Sequence, residues 1–171
     1  ALWQPLAELC HENPEFAQTT KIELTGNIDL SVIDAFRQNK IEHLLSTKTY
    51  VPHLEATRLM ANADVLLFII PNTERNHLII TGKIFEYLAT GTPLLPIGPP
   101  QGNAAKIIEN VQRDSMIDYE DLDEIKQRLK ILFNNWKQSP TPIKQQTEKA
   151  TQYSRERLSE KLASLLCQLH K

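Results

Sequence analysis

Short apolar runs alternate with helical patterns along most of the chain, and this alternation is the main indication of its fold. The apolar runs predict five strands, at residues 21–25, 44–50, 65–70, 94–97 and 116–118. The run at 65–70 (VLLFII) is apolar at every position, which is typical of a central parallel strand covered by helices on both faces. Strands separated by helices in this way predict βαβ units and a mainly parallel sheet.

Outside these runs, apolar residues recur at helical spacing. They predict seven helices, at residues 2–11, 30–39, 52–62, 83–90, 104–110, 122–136 and 144–169. Asp29 and Ser31 lie where a helix N-cap is wanted, and Pro52 suits the first turn of its helix. Gly91 fits a C-terminal cap, with Pro93 ending the helix soon after. The last helix is amphipathic, with leucines at 158, 162, 165, 166 and 169.

The predicted fold class is therefore α/β: a Rossmann-like, three-layer α/β/α arrangement with a mainly parallel sheet and a long C-terminal helix. Residues 1–140 are expected to form this domain. Residues 141–171 supply the rest of a stiff Ser-Pro-Thr-Pro linker and a helix that packs back on the domain or toward another one. The sequence opens inside a helix with no strand before it, so we expect a fragment whose first strand lies upstream.

Composition narrows the class of protein. The 171 residues are 41% hydrophobic and 23% charged, with a formal net charge of −2, which indicates a globular domain and gives no basic surface for nucleic acid. The longest apolar run is too short to span a bilayer. Cys10 and Cys167 have no CxxC spacing and lie on predicted helix faces, so we expect two reduced core thiols. The five histidines show no metal-ligand spacing, and His53 and His77 are expected in surface loops.

The run from 82 to 109 (GKIFEYLATGTPLLPIGPPQGNAAKIIE) carries the main candidate chemistry. It reads as helix, turn, buried strand, proline-rich loop and second helix. Glu86 near the start of the first helix could accept two hydroxyls of a ribose, as acidic residues do in dinucleotide folds. A first-turn glutamate favoured by the helix dipole is the alternative.

Two predicted helix starts are candidate phosphate sites. At the first, Thr81 can cap the helix, Gly82 allows close approach to the backbone, and Lys83 supplies an ammonium group. At the second, Gly102 and Asn103 precede the next helix. The alternative at the first start is a capped helix with a solvated lysine. The alternative at the second is a plain hinge loop. The spacing is not that of a P-loop, which excludes an ATPase of that class.

Two earlier loops also follow predicted strands. Gly26 and Asn27 come after the first strand, where a glycine lets a ligand lie against the backbone or simply permits a tight turn. Tyr50, Val51 and Pro52 join a strand to a helix. Their backbone could pair with a base edge, or they could form an ordinary connection.

Taken in order, these stretches resemble the C-terminal, donor-binding domain of the family-four retaining glycosyltransferases, which have the GT-B architecture. The resemblance extends from about Ile22 to Leu169 and is strongest in GKIFEYLATGTP, residues 82–93. Weaker pieces are YVPH at 50–53, ADVLL at 63–67 and YSRE at 153–156.

This resemblance implies a nucleotide-sugar site on the domain and an acceptor site on an absent N-terminal domain. Glu86 matches the second glutamate of the family's paired-glutamate motif, which holds the ribose hydroxyls. The backbone at residues 81–83 would face the diphosphate or sugar, and Tyr50, Val51 and Pro52 would frame the base. The final helix would cross toward the absent domain.

The sequence departs from the family pattern at two places in the expected nucleotide-sugar site. The first glutamate of the motif should lie eight residues before Glu86, but that position is Leu78. The loop at Asn76 and His77, or Lys83, would then take over contacts to the sugar. The family's basic pair for the diphosphate would lie upstream of residue 1, so part of the phosphate site and the acceptor domain would be missing.

The resemblance also implies a metal-independent enzyme whose substrate is a UDP- or GDP-sugar and which needs no cofactor. Such enzymes stabilise the leaving diphosphate with basic side chains and helix N-termini. The isolated piece would be inactive. Bacterial polysaccharide assembly in the cytoplasm is the expected setting, with peripheral membrane association through the full-length enzyme. The alternatives are a non-catalytic Rossmann-like nucleotide-binding or regulatory module and a sugar-nucleotide epimerase of GT-B architecture.

Overall fold

Four short strands form two parallel pairs. In the computed structural model, which describes residues 2–112, 115–139 and 148–169, the strands are β1 (Ile22–Thr25), β2 (Leu45–Lys48), β3 (Leu66–Ile69) and β4 (Leu94–Ile97). β1 pairs with β2, and β3 pairs with β4. The fold is therefore α/β with parallel pairing, but the described strands form two sheets. The strand predicted at 116–118 is reduced to one bridge between Ile117 and Ile97.

Helices occupy most of the remaining described residues. They are α1 (Trp3–Glu12), α2 (Pro14–Thr19), α3 (Leu30–Gln38), α4 (His53–Asn62), α5 (Gly82–Thr90), α6 (Asn103–Gln112), α7 (Leu122–Gln138), α8 (Glu148–Thr151) and α9 (Arg155–Leu169). Helix α2 was not predicted. The Asn13 side chain accepts hydrogen bonds from the backbone N–H groups of Glu15 and Phe16, and Pro14 fills the first position. This is a standard N-cap, and the short length of α2 hid it.

Several predicted boundaries are confirmed by their caps. Asp29 accepts a hydrogen bond from the Ser31 N–H at the start of α3. Gly91 ends α5 in the left-handed conformation at φ 70°, a region that glycine adopts without strain. Pro52, predicted in the first turn of its helix, lies instead at the N-cap position of α4, one residue before the helix begins, so that boundary is shifted by one residue.

The buried side chains form three clusters. The α5–α6 cluster contains Met60, Leu66, Phe68, Ile70, Ile84, Leu88, Leu94, Ala104, Ala105, Ile108, Val111 and Met116. The α1–α3 cluster contains Leu6, Leu9, Phe16, Phe36, Ile41 and Leu44. The α7 cluster contains Leu2, Leu95, Ile97, Ile117 and Ile125. Trp3 and Leu129 pack against both the α1–α3 and α7 clusters, so the same two helices, α1 and α7, cover residues of both sheets.

β3 is covered on both faces, as its apolar sequence predicts. Leu66 and Phe68 belong to the α5–α6 cluster, whereas the alternate residue Leu67 packs against the α7 cluster. Ile69, at the carboxyl end of the strand, is 45% exposed. An apolar side chain is therefore exposed at the edge of the sheet where loops follow the carboxyl ends of the strands.

An ion-pair network joins α1 to α7. The ammonium of Lys126 on α7 lies 2.8 Å from a carboxylate oxygen of Glu8 and 2.7 Å from one of Glu12. Lys130, one turn further along α7, lies 3.3 Å from Glu12. These ion pairs lie along the contact between α1 and α7, beside the apolar side chains that the two helices bury together.

The C-terminal elements differ in how they pack. The ring of Tyr153, in the turn after α8, packs at a tilt against Phe85 of α5, with ring centres 5.4 Å apart. The α9 leucines are all exposed, Leu169 to 83%, so the packing partner expected for this helix is not found among the described residues. Cys167 is exposed, which corrects its assignment as a core thiol, and Cys10 is half-buried. Most of the predicted linker, with residues 144–147 of the predicted last helix, lies outside the described residues.

None of the helices in the described ranges combines the length and apolarity that crossing a membrane requires.

Candidate functional site

The start of α5 brings together three of the predicted donor-site residues. Thr81 occupies the N-cap position in an extended conformation, but its side chain makes no hydrogen bond to the helix, so the predicted capping role is wrong. The helix begins at Gly82. Since helix N-termini leave their first N–H groups without intrahelical partners, the N–H groups of Gly82 and Lys83 stay available to a ligand.

Glu86 lies in the second turn of α5, and the first turn has no acidic residue. Stabilisation of a carboxylate by the helix dipole is confined to the first turn. The dipole therefore gives little reason for a glutamate at this position. Its carboxylate lies 3.2 Å from the ammonium of Lys83, and the two side chains are 38% and 51% exposed. The Lys83 ammonium also lies 5.9 Å from the ring centre of Tyr87.

Tyr87 anchors this group to the core. Its ring meets Phe68 of β3 edge-on, with centres 6.3 Å apart. Burial, the largest effect, raises the pKa of its phenol above the ordinary value, and so does Glu86, whereas Lys83 acts against the shift. The phenol is therefore neutral at physiological pH, and the nearby charge comes from the lysine–glutamate pair.

The start of α6 lies beside the loop that leads into α5. Gly102 donates its N–H to the Pro99 carbonyl at 2.9 Å, which makes a tight turn before Asn103 opens the helix. A Cβ at Gly102 would lie 3.0 Å from that carbonyl oxygen and 3.3 Å from the Cα of His77. This close approach explains the glycine and places the turn before α6 against the loop that leads into α5.

Tyr119 is a residue of this region that sequence reasoning missed. Its hydroxyl donates a 2.6 Å hydrogen bond to the carbonyl of Ile70, just beyond β3, and accepts one from the Asn76 amide at 3.4 Å. Burial raises the pKa of Tyr119. The only signal in the sequence was an aromatic residue with a polar end shortly after a short apolar run.

The loop after β3 also contains Arg75 and Leu78. Arg75 is exposed and adopts the left-handed conformation at φ 59°, which is uncommon outside glycine. The short 3₁₀ turn Asn76–Leu78 follows it. Leu78 is 56% exposed, so the position expected to hold a second glutamate presents an apolar side chain to solvent.

A second group of predicted residues lies after β1 and β2. Gly26 has φ 116°, and no atom lies within 4 Å of where its Cβ would be. Asn27 and Pro52 are exposed, Tyr50 is 84% exposed, and Val51 is half-buried. No hydrogen bond or ion pair between described residues joins this group to the one at α5 and α6. The two groups share only their place after the carboxyl ends of parallel strands.

A shallow cavity of about 320 Å³ lies on the other side of α5. Phe85 and Leu88 line it from the helix, and Tyr153 and Ser154 line it from the C-terminal segment. At 100° per residue, Phe85 and Leu88 face away from Lys83 and Glu86. The cavity holds no charged side chain and is separate from the candidate site. The described residues contain no group of three or more His, Cys, Asp or Glu side chains placed to hold a metal.

Comparison with protein-family models, curated proteins and solved structures gives no match to this chain.

Proposed function

We propose that this domain binds a nucleotide-diphospho-sugar and is the donor-binding half of a retaining glycosyltransferase, which passes the sugar to a glycan or lipid-linked acceptor. The observation that carries the proposal is the Lys83–Glu86 pair beside the uncapped start of α5. A carboxylate for hydroxyls, an ammonium for phosphate and free N–H groups are the groups that a nucleoside diphosphate requires.

In this proposal each group has one role. Glu86 accepts the hydroxyls of the ribose, and Lys83 with the N–H groups at Gly82 binds the diphosphate. Gly102 and Asn103 approach the same ligand from the start of α6. Ligands of open parallel sheets bind at the carboxyl ends of the strands, which is where these residues follow β3 and β4.

Gly26, Asn27, Tyr50, Val51 and Pro52 form the base side of the site in this proposal. For them to reach the same nucleotide, the two described sheets must belong to one Rossmann-like, three-layer domain. That finer architecture is part of the proposal, as is a further domain that binds the acceptor. Alone, the domain binds the donor and transfers nothing.

The chemistry proposed is metal-independent. As the bond between sugar and diphosphate breaks, negative charge grows on the leaving phosphate oxygens. Once the donor has replaced Glu86 as the partner of Lys83, the ammonium and the α5 N–H groups are already in place for that charge, which is the usual form of electrostatic catalysis. Exposed Arg75 is a second cation in the loop before α5. The proposed setting is bacterial polysaccharide assembly at the cytoplasmic face of a membrane.

The test is an NMR titration of the ¹⁵N-labelled domain with UDP, GDP and ADP. One nucleotide should give saturable shifts centred on residues 81–86 and 102–103, with a second set at residues 26–27 and 50–52. Shifts confined to one of the two groups would overturn the shared site. Shifts at neither group at millimolar nucleotide, with the fold intact, would overturn the donor-binding proposal.

Leu78 favours a second candidate, a non-catalytic nucleotide-binding module. An exposed leucine cannot make the polar contacts to the transferred sugar that a glutamate would make. Equal affinities for UDP and a UDP-sugar would favour this module, because the sugar would then make no favourable contact with the domain. Tighter binding of the nucleotide-sugar would favour the transferase.

A further inference from the structure

One hydroxyl group contacts both ends of a short loop between β3 and α5. The hydroxyl of Tyr119 donates a 2.6 Å hydrogen bond to the carbonyl of Ile70, directly after β3. The same oxygen accepts a hydrogen bond of 3.4 Å from the side-chain amide of Asn76. Residues 71–75 lie between these two contacts. Compact surface loops whose ends are held close together are frequently functional.

The ring of Tyr119 is anchored in the core. It is partly buried and packs against the α7 cluster. Two residues earlier, the backbone of Ile117 is bonded twice to β4 and the residue after it. Its N–H donates to the Pro96 carbonyl at 3.0 Å, and its carbonyl accepts from the Gly98 N–H at 2.9 Å. The hydroxyl therefore stands on a fixed support, and the loop takes its position from that support.

The backbone of this loop makes tight turns of its own. Thr73 donates its N–H to the Pro71 carbonyl at 3.0 Å, and Asn76 donates its N–H to the Thr73 carbonyl at 3.2 Å. Arg75 lies between these turns and the second contact of Tyr119, in the left-handed conformation at φ 59°. A residue other than glycine keeps this conformation only where its surroundings impose it. The two ends fixed by Tyr119 are the surroundings that impose it here.

The guanidinium of Arg75 is unused within the described part of the chain. Arg75 is exposed, and its side chain forms no ion pair or hydrogen bond with another described residue. Its loop lies against the turn before α6, because a Cβ at Gly102 would be 3.3 Å from the Cα of His77. The same loop leads into Gly82 at the start of α5. A free cation is therefore carried by the segment that runs between the two groups of predicted phosphate-site residues.

We propose that Tyr119 is a positioning residue of the nucleotide site, whose hydroxyl fixes the loop at residues 71–76 so that Arg75 binds the diphosphate. Since a ligand is assigned to Arg75, its role rests on the proposed function. A guanidinium can donate two parallel hydrogen bonds to a phosphate, whereas the ammonium of Lys83 acts as a point charge. Because the loop is ordered beforehand, binding does not have to order it. Tyr119 itself contacts no ligand.

The first test measures the order of the loop without nucleotide. Tyr119→Phe retains the ring and removes only the hydroxyl. The matched control is Tyr153→Phe, whose hydroxyl accepts a bond from the Asn110 amide, also at 3.4 Å, beside the cavity on the other side of α5. In ¹⁵N relaxation, backbone order parameters at residues 72–76 should fall from about 0.85 to about 0.6 or lower in Tyr119→Phe alone. Unchanged values in that variant, or equal falls in both, would overturn the positioning role.

The second test asks whether Tyr119 acts through Arg75. Arg75→Asn removes the charge, and asparagine tolerates the left-handed conformation, so the loop can keep its shape. With whichever of UDP, GDP and ADP binds, each of Tyr119→Phe and Arg75→Asn should weaken binding about 5- to 10-fold. The double variant should lose no more than Arg75→Asn alone, because the two residues act as a unit. Affinity for the corresponding nucleoside, which has no phosphate, should be unchanged in all three variants.

The outcomes separate this role from the proposed function. Losses that add in the double variant, or an equal loss for nucleotide and nucleoside, would overturn the action of Tyr119 through Arg75. Nucleotide binding that ignores Arg75→Asn would overturn the role of Arg75 and leave the donor-binding proposal standing. Binding of none of the three nucleotides to the wild type would overturn both.

Discussion

Lys83 and Glu86 hold each other on one side of α5, with 3.2 Å between ammonium and carboxylate. A nucleoside diphosphate would change both partners at once. In the proposed site, its phosphates would compete for the ammonium of Lys83, and its ribose hydroxyls would compete for the carboxylate of Glu86. Exposed pairs of this kind contribute little to stability, so the exchange of partners has a small cost.

Lys83→Met should separate phosphate binding from ribose binding. We expect the affinity for the preferred nucleoside diphosphate to fall about 5- to 10-fold, because one charge-assisted hydrogen bond is lost. The affinity for the corresponding nucleoside, which has no phosphate, should be unchanged or higher, since Glu86 is released. Calorimetric titration measures both. Lys106→Met on α6, also exposed, is the control, and equal losses for nucleotide and nucleoside would contradict the assignment.

Gly82→Ala should weaken binding without weakening the fold. No atom lies within 4 Å of the added Cβ, and Gly82 does not have a positive φ. Alanine is a better helix former, so the free energy of unfolding should stay level or rise by up to about 1 kcal/mol. The methyl group would occupy the approach to the α5 N–H groups, and nucleotide affinity should fall.

Gly102→Ala is the contrasting variant for that experiment. Its Cβ would lie 3.0 Å from the Pro99 carbonyl oxygen, so the loop must shift and stability should fall together with binding. Thermal unfolding and nucleotide titration of both variants separate the two effects. Full affinity in Gly82→Ala would show that no ligand approaches that backbone.

Ile125→Ala should strongly destabilise the domain. Ile125 on α7 is fully buried, and the substitution leaves a cavity in the α7 cluster, so we expect a loss of about 2–5 kcal/mol in the free energy of unfolding. Ile131→Ala is the matched control on the same helix. Ile131 is 52% exposed, and its replacement should change stability by about 0.5 kcal/mol or less. Urea unfolding measures both, and equal effects would contradict the packing of α7.

The network at Lys126 should make the domain sensitive to acid. Hydrogen bonds from Lys126 are the largest cause that lowers the pKa of Glu8 and the pKa of Glu12 below their ordinary values. A lowered folded-state pKa contributes stability above the unfolded value of about 4.3, which is lost as pH falls through the folded value. Lys126→Met should therefore flatten the fall in stability between about pH 5 and pH 3.

The control for that experiment is Lys161→Met on the exposed helix α9. It should leave the acid dependence of the free energy of unfolding as in the wild type. A wild-type slope that persists in Lys126→Met would show that the acid sensitivity comes from other carboxylates.

Local chemistry made most helices and strands predictable. Asp29 and Gly91 set helix ends through backbone geometry that depends on a few neighbouring residues, and the apolar 65–70 run predicted a strand covered on both faces. The start of α5 was harder. Thr81 is a suitable N-cap residue, yet its side chain does not cap, and the one-residue shift of the helix start moved Glu86 out of the first turn.

The sheet arrangement and the partners of single residues could not be read from the sequence. Which strands pair with which depends on contacts between residues far apart in the chain, and no local pattern records these. The hydrogen bond from Tyr119 to Ile70 joins residues 49 positions apart, and the contact of Gly102 with the loop at His77 is equally non-local. The exposure of Cys167 depends on α9 having no packing partner among the described residues.

The central claim is that Glu86 binds the ribose of the nucleotide. The most direct test is a thermodynamic cycle built from dissociation constants. The preferred nucleotide and its 2′-deoxy form are titrated into the wild type, Glu86→Ala, and the control Glu109→Ala on α6. If Glu86 accepts the ribose hydroxyls, Glu86→Ala should weaken binding of the ribonucleotide by about tenfold or more. Removal of the 2′-hydroxyl should weaken binding to the wild type by part of that amount, and should cost little further in Glu86→Ala. Glu109→Ala should behave as wild type. Losses that add independently, or full affinity in Glu86→Ala, would contradict the proposed donor site.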